Sequence, residues 1–280
     1  MRKIVLVIFS TLLLIGCVDY RAKLHNSKKL LQVGKQTVTE ADLYEQLLKT
    51  YGAEAVATII NDYIYSQVAD PDEDFSKQVE ELTEFYRMLY TDTYYEAAGF
   101  DSESEFQEKY IIQDLKLESI TKKYIDTNFG SVITAYLPTK LAILQFEDFD
   151  EAAAALAEAK AGAPLASLYE KFAATEDYDG EVMIYSNISG LPTEVASYGL
   201  NAEKANLVDS PIVSTDGSFY LVQVIDVDRN SFQEEIIEEL SGETALRSDA
   251  IYFYCDKFNL TYYDKTLIEI ISSANPNYLR

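Results

Sequence analysis

The chain has 280 residues, 48% of them hydrophobic and 25% charged, enough to build a substantial core in one large domain or two ordinary ones. Its 47 Asp and Glu outweigh 23 Lys and Arg to give a formal charge of -24, opposite in sign to what a nucleic-acid binder needs, so no nucleic-acid partner is expected. A single histidine, His25, excludes His-based triads and His-rich metal centres almost everywhere, and there is no tryptophan.

At the amino end Arg2 and Lys3 precede an apolar run from Ile4 to Ile15, then Gly16 and Cys17. A basic flank, a short apolar stretch and a small residue form the pattern of a cleaved export signal. The run is well short of the roughly 20 residues a membrane-spanning helix needs. Leu14-Ile15-Gly16-Cys17 resembles a bacterial lipobox, which implies removal of residues 1 to 16 and lipidation of the Cys17 thiol. The mature chain is then held at the extracytoplasmic face of the cell membrane, in a Gram-positive host, by acyl chains that anchor stably when there are two or three. Cys255 is left without a disulfide partner.

Between Cys17 and Lys35 the sequence carries Arg21, Lys23, Lys28, Lys29 and Lys35 with only Asp19 against them, and residues 17 to 31 read as a basic tether. Each such residue near an anionic leaflet is attracted by about 1 kcal/mol, while the acidic body beyond is pushed off. His25 lies in this tether and reads as a solvated polar residue.

Further along, Val33 to Val38 reads as a short strand, and Thr39 with Asp42 three residues later makes a capping-box start for a helix bearing Leu43, Tyr44, Leu47 and Leu48 on one side. After Gly52 a second helical run carries Val56, Ile59, Ile60, Tyr63 and Ile64 and ends at Asp70-Pro71. A third spans about Phe75 to Tyr90. A fourth starts after Ser102, with Glu105 as box partner, and passes Phe106, Tyr110, Leu115, Ile120 and Tyr124. There is no P-loop and no dinucleotide fingerprint.

The order Gly-Lys-Gln-Thr-Val-Thr-Glu-Ala-Asp-Leu-Tyr at 34 to 44, a helical arm behind it and a lipobox in front together resemble the PrsA foldase lipoproteins of Gram-positive bacteria. In that family this segment opens a chaperone domain like those of SurA and trigger factor.

From about Leu137 the composition shifts. Leu141 to Phe146 reads as a strand, Asp148 and Asp150 cap an alanine-rich helix to Lys160, and a second helix starts at Pro164 and runs through Leu165, Leu168, Tyr169 and Phe172. A strand at Val182 to Tyr185, a short helix at Thr193 to Leu200 and a β-branched run at Phe219 to Val227 after Asp216-Gly217 follow. This order resembles a parvulin domain, the prolyl-isomerase module that the foldases insert between the halves of their chaperone domain. Beyond it Ser231 caps a helix with Phe232, Ile236, Ile237 and Leu240, Ala250 to Phe258 is helical, and Leu260 to Tyr263 is strand-like.

The resemblance implies an α+β protein: a mostly helical chaperone domain at 32–137 and 229–280, with a parvulin-like module, a small antiparallel sheet flanked by helices, at 138–228. It also implies a site. Active parvulins hold a twisted prolyl amide, whose rotation barrier is about 18–20 kcal/mol, with two histidines and a Cys or Asp beside an apolar pocket. Aligned on this chain those polar positions fall on Ala142, Thr175 and Tyr220, all changed, and the pocket wall on Val182, Leu191 and Val195, which can equally be plain core.

The function implied is therefore a membrane-anchored chaperone that assists unfolded or partly folded secreted proteins, its isomerase chemistry lost or much reduced. An active peptidyl-prolyl isomerase with a substituted polar cluster is the alternative, and a surface lipoprotein binding one specific ligand is a third. A homodimer is one admissible assembly. No cofactor is implied, and no metal: the carboxylates at Asp70 to Asp74 and at Glu234 to Glu239 lack the glycine and alternating-oxygen spacing of a calcium loop. The 22 tyrosines, clustered at Tyr63, Tyr65, Tyr86, Tyr90, Tyr94 and Tyr95, suit contact with unfolded chains or plain packing.

Overall fold

A computed structural model describes residues 27–69, 75–90, 93–172, 174–175 and 177–279. Cys17 and the preceding signal-like run lie outside these residues.

The first element differs from the expected single strand. Lys29–Val33 (β1) turns at Gly34, whose φ of 61° suits glycine, and pairs antiparallel with Gln36–Thr39 (β2). The hairpin thus begins inside the segment read as tether. Thr39 then closes the expected capping box with Asp42, and the helix it starts does not break at Gly52. α1 runs from Glu40 to Val68 as one rod of 29 residues, about 44 Å long at 1.5 Å per residue. An isolated helical glycine costs only about 1 kcal/mol against alanine, too little to end a helix that packing supports. Here a Cβ on Gly52 would lie 2.9 Å from Leu48 Cδ1.

α2 (Phe75–Leu89) and the short α3 (Tyr94–Ala97) follow. Ser102 caps α4 (Glu103–Phe106), which passes through a π-helical turn (Gln107–Ile111) into α5 (Ile112–Thr127). α6 (Phe129–Tyr136), absent from the sequence expectation, ends on Leu137 in the left-handed region at φ 52°.

Residues 139 to 226 form a five-stranded antiparallel sheet in the order β4–β3–β7–β5, with β6 also on β7. The strands are β3 (Thr139–Phe146), β4 (Asp179–Tyr185), β5 (Asn206–Leu207), β6 (Ile212–Val213) and β7 (Phe219–Asp226). Between them lie α7 (Phe149–Lys160), capped by Asp148, and α8 (Thr193–Gly199). The helix expected from Pro164 is only a 3₁₀ turn, Leu165–Leu168. That geometry eclipses residues three apart, and Leu165 and Leu168 are both 2% exposed. The start of β4 crosses it so closely that a Cβ on Gly180, at φ 82°, would stand 2.6 Å from Ala166 N.

α9 (Gln233–Leu240), α10 (Thr244–Lys257) and α11 (Lys265–Ala274) complete the chain. Ser231 does not cap α9: its hydroxyl donates to Asp226 Oδ2 at 2.6 Å, and Phe232 occupies the cap position. Leu260 to Tyr263 is not a strand. Tyr262 instead donates its hydroxyl to the Tyr278 carbonyl at 3.0 Å. The fold class is α+β, as expected.

The core is divided. One cluster, built on Leu141, Leu144, Phe146, Leu165, Val195 and Val222, lies wholly within the sheet and its helices. A second joins α1 (Ile60, Ile64), α5 (Ile120), α10 (Ile251, Tyr254, Cys255) and α11 (Ile271), so the carboxyl end returns to the amino-terminal arm. Each such aliphatic side chain stabilises by about 1.5–3 kcal/mol when fully buried. Cys255 is a free thiol whose pKa burial pushes up to about 11, so it packs as a small neutral apolar group. A third cluster around Ile125, Val132, Phe232, Ile236 and Leu246 also receives Ile184 and Ile188 from the sheet module. A fourth holds Tyr94, Phe106, Ile111 and Leu115.

Candidate functional site

The positions that the parvulin resemblance assigns do not come together, because strand alternation separates them. Ala142 on β3 pairs with Val182 on β4 and Gln223 on β7, whereas Tyr220 on β7 pairs with Gln145 on β3. The β3–β7 register is unbroken from Leu141 to Phe146. Ala142 and Gln145 are three residues apart, so Ala142 and Tyr220 leave opposite faces of the sheet.

Each face has its own cover. Phe146 and Phe219 share the face of Ala142, and Phe149 of α7 meets the Phe219 ring edge-on at 5.5 Å. Ala142, 2% exposed, is therefore a core residue on the α7 side. On the opposite face a Cβ on Gly199 of α8 would lie 2.7 Å from Leu141 Cδ1, and Leu141 alternates into register with Gln145 and Tyr220. Val195, on α8, is completely buried, Leu191 is half-buried against the same core, and Val182 on the outer strand is 52% exposed. The three wall positions are thus one exposed, one half-buried and one internal.

Thr175 and Tyr220 each adjoin Gln145 instead. β4 stops pairing at Leu144, which leaves the Gln145 carbonyl open, and the Thr175 backbone N–H donates to it at 2.8 Å. The Thr175 hydroxyl oxygen is buried without a hydrogen-bond partner among the described residues. Gln145 donates its side-chain amide to Ser218 Oγ at 3.2 Å. Tyr178 packs edge-on against the Tyr220 ring at 5.8 Å.

The electrostatics of this cluster are those of a neutral phenol beside a carboxylate. Burial first, and then the Asp216 charge, push the Tyr220 phenol up to about 12. The Ser218 backbone N–H holds Asp216 below the usual carboxylate range. At neutral pH Tyr220 is a hydrogen-bond donor and Asp216 an ionised acceptor. Tyr220 is only 2% exposed, and the Asp216-Gly217-Ser218 turn is closed by the Ser218 backbone N–H donating to Asp216 Oδ1 at 2.9 Å. Gln145, Tyr178, Asp216 and Ser218 escape sequence reasoning. Gln145 is the cross-strand partner of Tyr220, a pairing across 75 positions that no local signal gives.

No family model matches the chain, and no curated protein does. Among solved structures the chain is similar to foldase PrsA from Streptococcus pneumoniae str. Canada MDR_19A, at 17% identity and a TM-score of 0.45, covering 88% of this chain and 99% of that one. It is also similar to a peptidylprolyl isomerase (PrsA) from Bacillus cereus, at 18% identity, TM-score 0.43, and 90% and 100% coverage. PrsA from Bacillus subtilis aligns at 13% identity, TM-score 0.42, and 89% and 99% coverage.

The second candidate surface is on the arm. The first buried residue of α1 is Gly52, so its opening three turns and the hairpin before them project into solvent. They carry Leu31 at 52%, Val33 at 72%, Leu47 at 48% and Tyr51 at 57% exposure, together with Leu30, Leu43 and Tyr44. Exposed apolar side chains grouped in this way make the arm a candidate interaction surface. Among the described residues no helix is long and apolar enough to cross a membrane.

Proposed function

We propose that the chain is a PrsA-type foldase that acts as a chaperone for unfolded secreted proteins, held at the extracytoplasmic membrane face through Cys17, with little or no prolyl-isomerase turnover. The observation that carries the chaperone reading is the apolar hairpin and projecting end of α1. Unfolded chains present apolar segments without fixed geometry, and an exposed stripe of leucines, valines and tyrosines meets them without specific pairing. What supports loss of turnover is the split of Ala142 and Tyr220 onto opposite sheet faces and the burial of Tyr220. The parvulin-like module, 138–228, is then an insert in the chaperone domain, a reading supported by its self-contained core.

The test is suppression of aggregation of several unrelated unfolded proteins, alongside the proline-limited slow phase of their refolding. Uncatalysed isomerisation takes tens to hundreds of seconds, so modest catalysis is visible. Suppression without acceleration is expected. Affinity for one folded ligand with no effect on aggregation would replace this reading with that of a specific surface binder.

One observation favours residual isomerase activity as a second reading: the Thr175 hydroxyl, without a partner among the described residues, beside the Gln145–Tyr220 pair. Turnover by the wild type that disappears in Tyr220→Phe would establish it.

A further inference from the structure

α2, α3, α4 and the π-helical turn enclose a cavity of about 700 Å³, within the roughly 300–1,000 Å³ of small-ligand pockets. Its walls are the rings of Tyr86, Tyr90, Tyr94, Phe100, Phe106 and Tyr110, and among the described residues no charged side chain lines it. Tyr94 and Phe106, 4% and 3% exposed, make the floor, whereas Tyr90 and Tyr110, 64% and 47% exposed, stand at the mouth. The rings hold one another open. Tyr86 stacks on Tyr90 (6.2 Å, 18°) and Tyr94 (5.9 Å, 20°) and meets Phe106 edge-on at 5.2 Å, while Phe106 and Tyr110 stack across the π-helical turn at 5.0 Å. Such ring pairs add about 0.5–1.5 kcal/mol each beyond the area they bury, so the concavity is a built one.

Charge around it is one-sided. The three cations of residues 75 to 115 are each committed to a glutamate: Lys77 to Glu81 at 3.2 Å, Arg87 to Glu103, and Lys109 to Glu105 at 2.7 Å. Glu103 also accepts from the Tyr94 hydroxyl at 3.2 Å, which brings a carboxylate against the floor. Glu96 and Asp101, adjacent in sequence to lining residues Ala97 and Phe100, have no ion pair among the described residues. Ring faces are negative and attract cations, most strongly where carboxylates add to the field, and the apolar floor favours another ring.

We propose that this cavity binds an extended peptide segment in which an aromatic side chain stands next to lysine or arginine, the ring entering and the cation resting on Tyr90 and Tyr110 at the mouth. This rests on the foldase reading and names the client segment it selects.

The chain has no tryptophan, so a tryptophan peptide reports its own capture in the full-length protein. The probes are unstructured peptides with Lys-Trp-Arg or Glu-Trp-Glu at the centre, and one with Lys-Pro-Arg as competitor. The expected result is a saturable blue shift for Lys-Trp-Arg, about tenfold or more weaker for Glu-Trp-Glu, with poor competition by Lys-Pro-Arg. Tyr90→Ala and Ala98→Phe, the second filling the mouth from an exposed position, should each weaken binding about tenfold, and Tyr90→Phe should retain it. Equal affinity for Glu-Trp-Glu, or unchanged binding in Ala98→Phe, would overturn the proposal. The aggregation assay on the same preparation separates the two readings. Suppression without peptide binding removes the cavity's role alone, whereas peptide binding without suppression removes the chaperone role alone.

Discussion

Gly180→Ala is the perturbation that best separates the sheet module from the helical arm. Gly180 sits at φ 82°, where an L side chain is strained by about 1–2 kcal/mol. Its new Cβ would also stand 2.6 Å from Ala166 N and Leu165 C, both backbone atoms of the 3₁₀ turn, which cannot rotate away as a side chain would. Overpacking of that kind costs about 1–3 kcal/mol. The sum, about 2–5 kcal/mol, corresponds to a fall of roughly 10–30 °C in the melting of a module of this size. Gly217→Ala is the control: φ is 92° there, but nothing lies within 4 Å of the Cβ, so only the strain applies. Calorimetry of the full chain should show the module's transition falling in Gly180→Ala, less so in Gly217→Ala, while the arm's transition stays and aggregation suppression survives below it. Equal shifts for the two variants would refute the close approach. Joint collapse of both transitions would refute an inserted module with its own core.

Fatty-acid labelling should mark the protein at Cys17, and Cys17→Ala should abolish it; a mutant that remains lipidated would sink the anchor. Tyr220→Phe and Thr175→Ala should leave aggregation suppression unchanged, since neither residue belongs to the arm's apolar surface, and a loss in either would place client binding on the module. Tyr185, Tyr220 and Tyr254 are each pushed up to about 12, burial being the largest cause, against about 10 in an unfolded chain. Their folded pKa is raised, so the stability they contribute is complete below pH 10 and is lost as pH climbs from about 10 to 12. The last part of the phenolate absorbance should therefore rise cooperatively with unfolding in that window, and full titration of all 22 tyrosines near pH 10 without loss of structure would contradict the burial.

The elements legible from sequence were the helices that open on a capping residue. Thr39 with Asp42, Ser102 with Glu105, and Asp148 before its alanine-rich run all cap helices as expected, because each side-chain oxygen has a backbone N–H two or three residues on. Where long-range packing decides, local signals mislead. Gly52 reads as a break, yet α1 continues through it, with Ile60 and Ile64 buried against the returning carboxyl-terminal helices. The run from Pro164 has helical spacing, but the backbone of β4 at Gly180 occupies the space beside it. α11 has a cap in Asp264, whose carboxylate accepts from Leu267 N at 2.9 Å, but its apolar run from Leu267 to Ile271 suits strand and helix alike.

The candidate site was less legible than the fold, and parity is the reason. A sequence alignment places a side chain to within about one residue, which on a helix moves it around the surface but on a strand moves it through the sheet. Ala142 is a case in point: Leu141 and Ile143, one step to either side, share the face of Tyr220, while Ala142 itself lies under α7. The polar character of the site could be read from Thr175 and Tyr220, since both are retained as hydrogen-bonding residues. Their environment could not, because Gln145 reaches them only through a cross-strand pair spanning 75 positions and an open carbonyl that exists where β4 stops at Leu144. The Thr175 backbone N–H and the Gln145 side-chain amide are thereby committed to the fold. Binding capacity is then left to exposed apolar surface, such as the hairpin, the projecting turns of α1 and the mouth of the tyrosine-lined cavity.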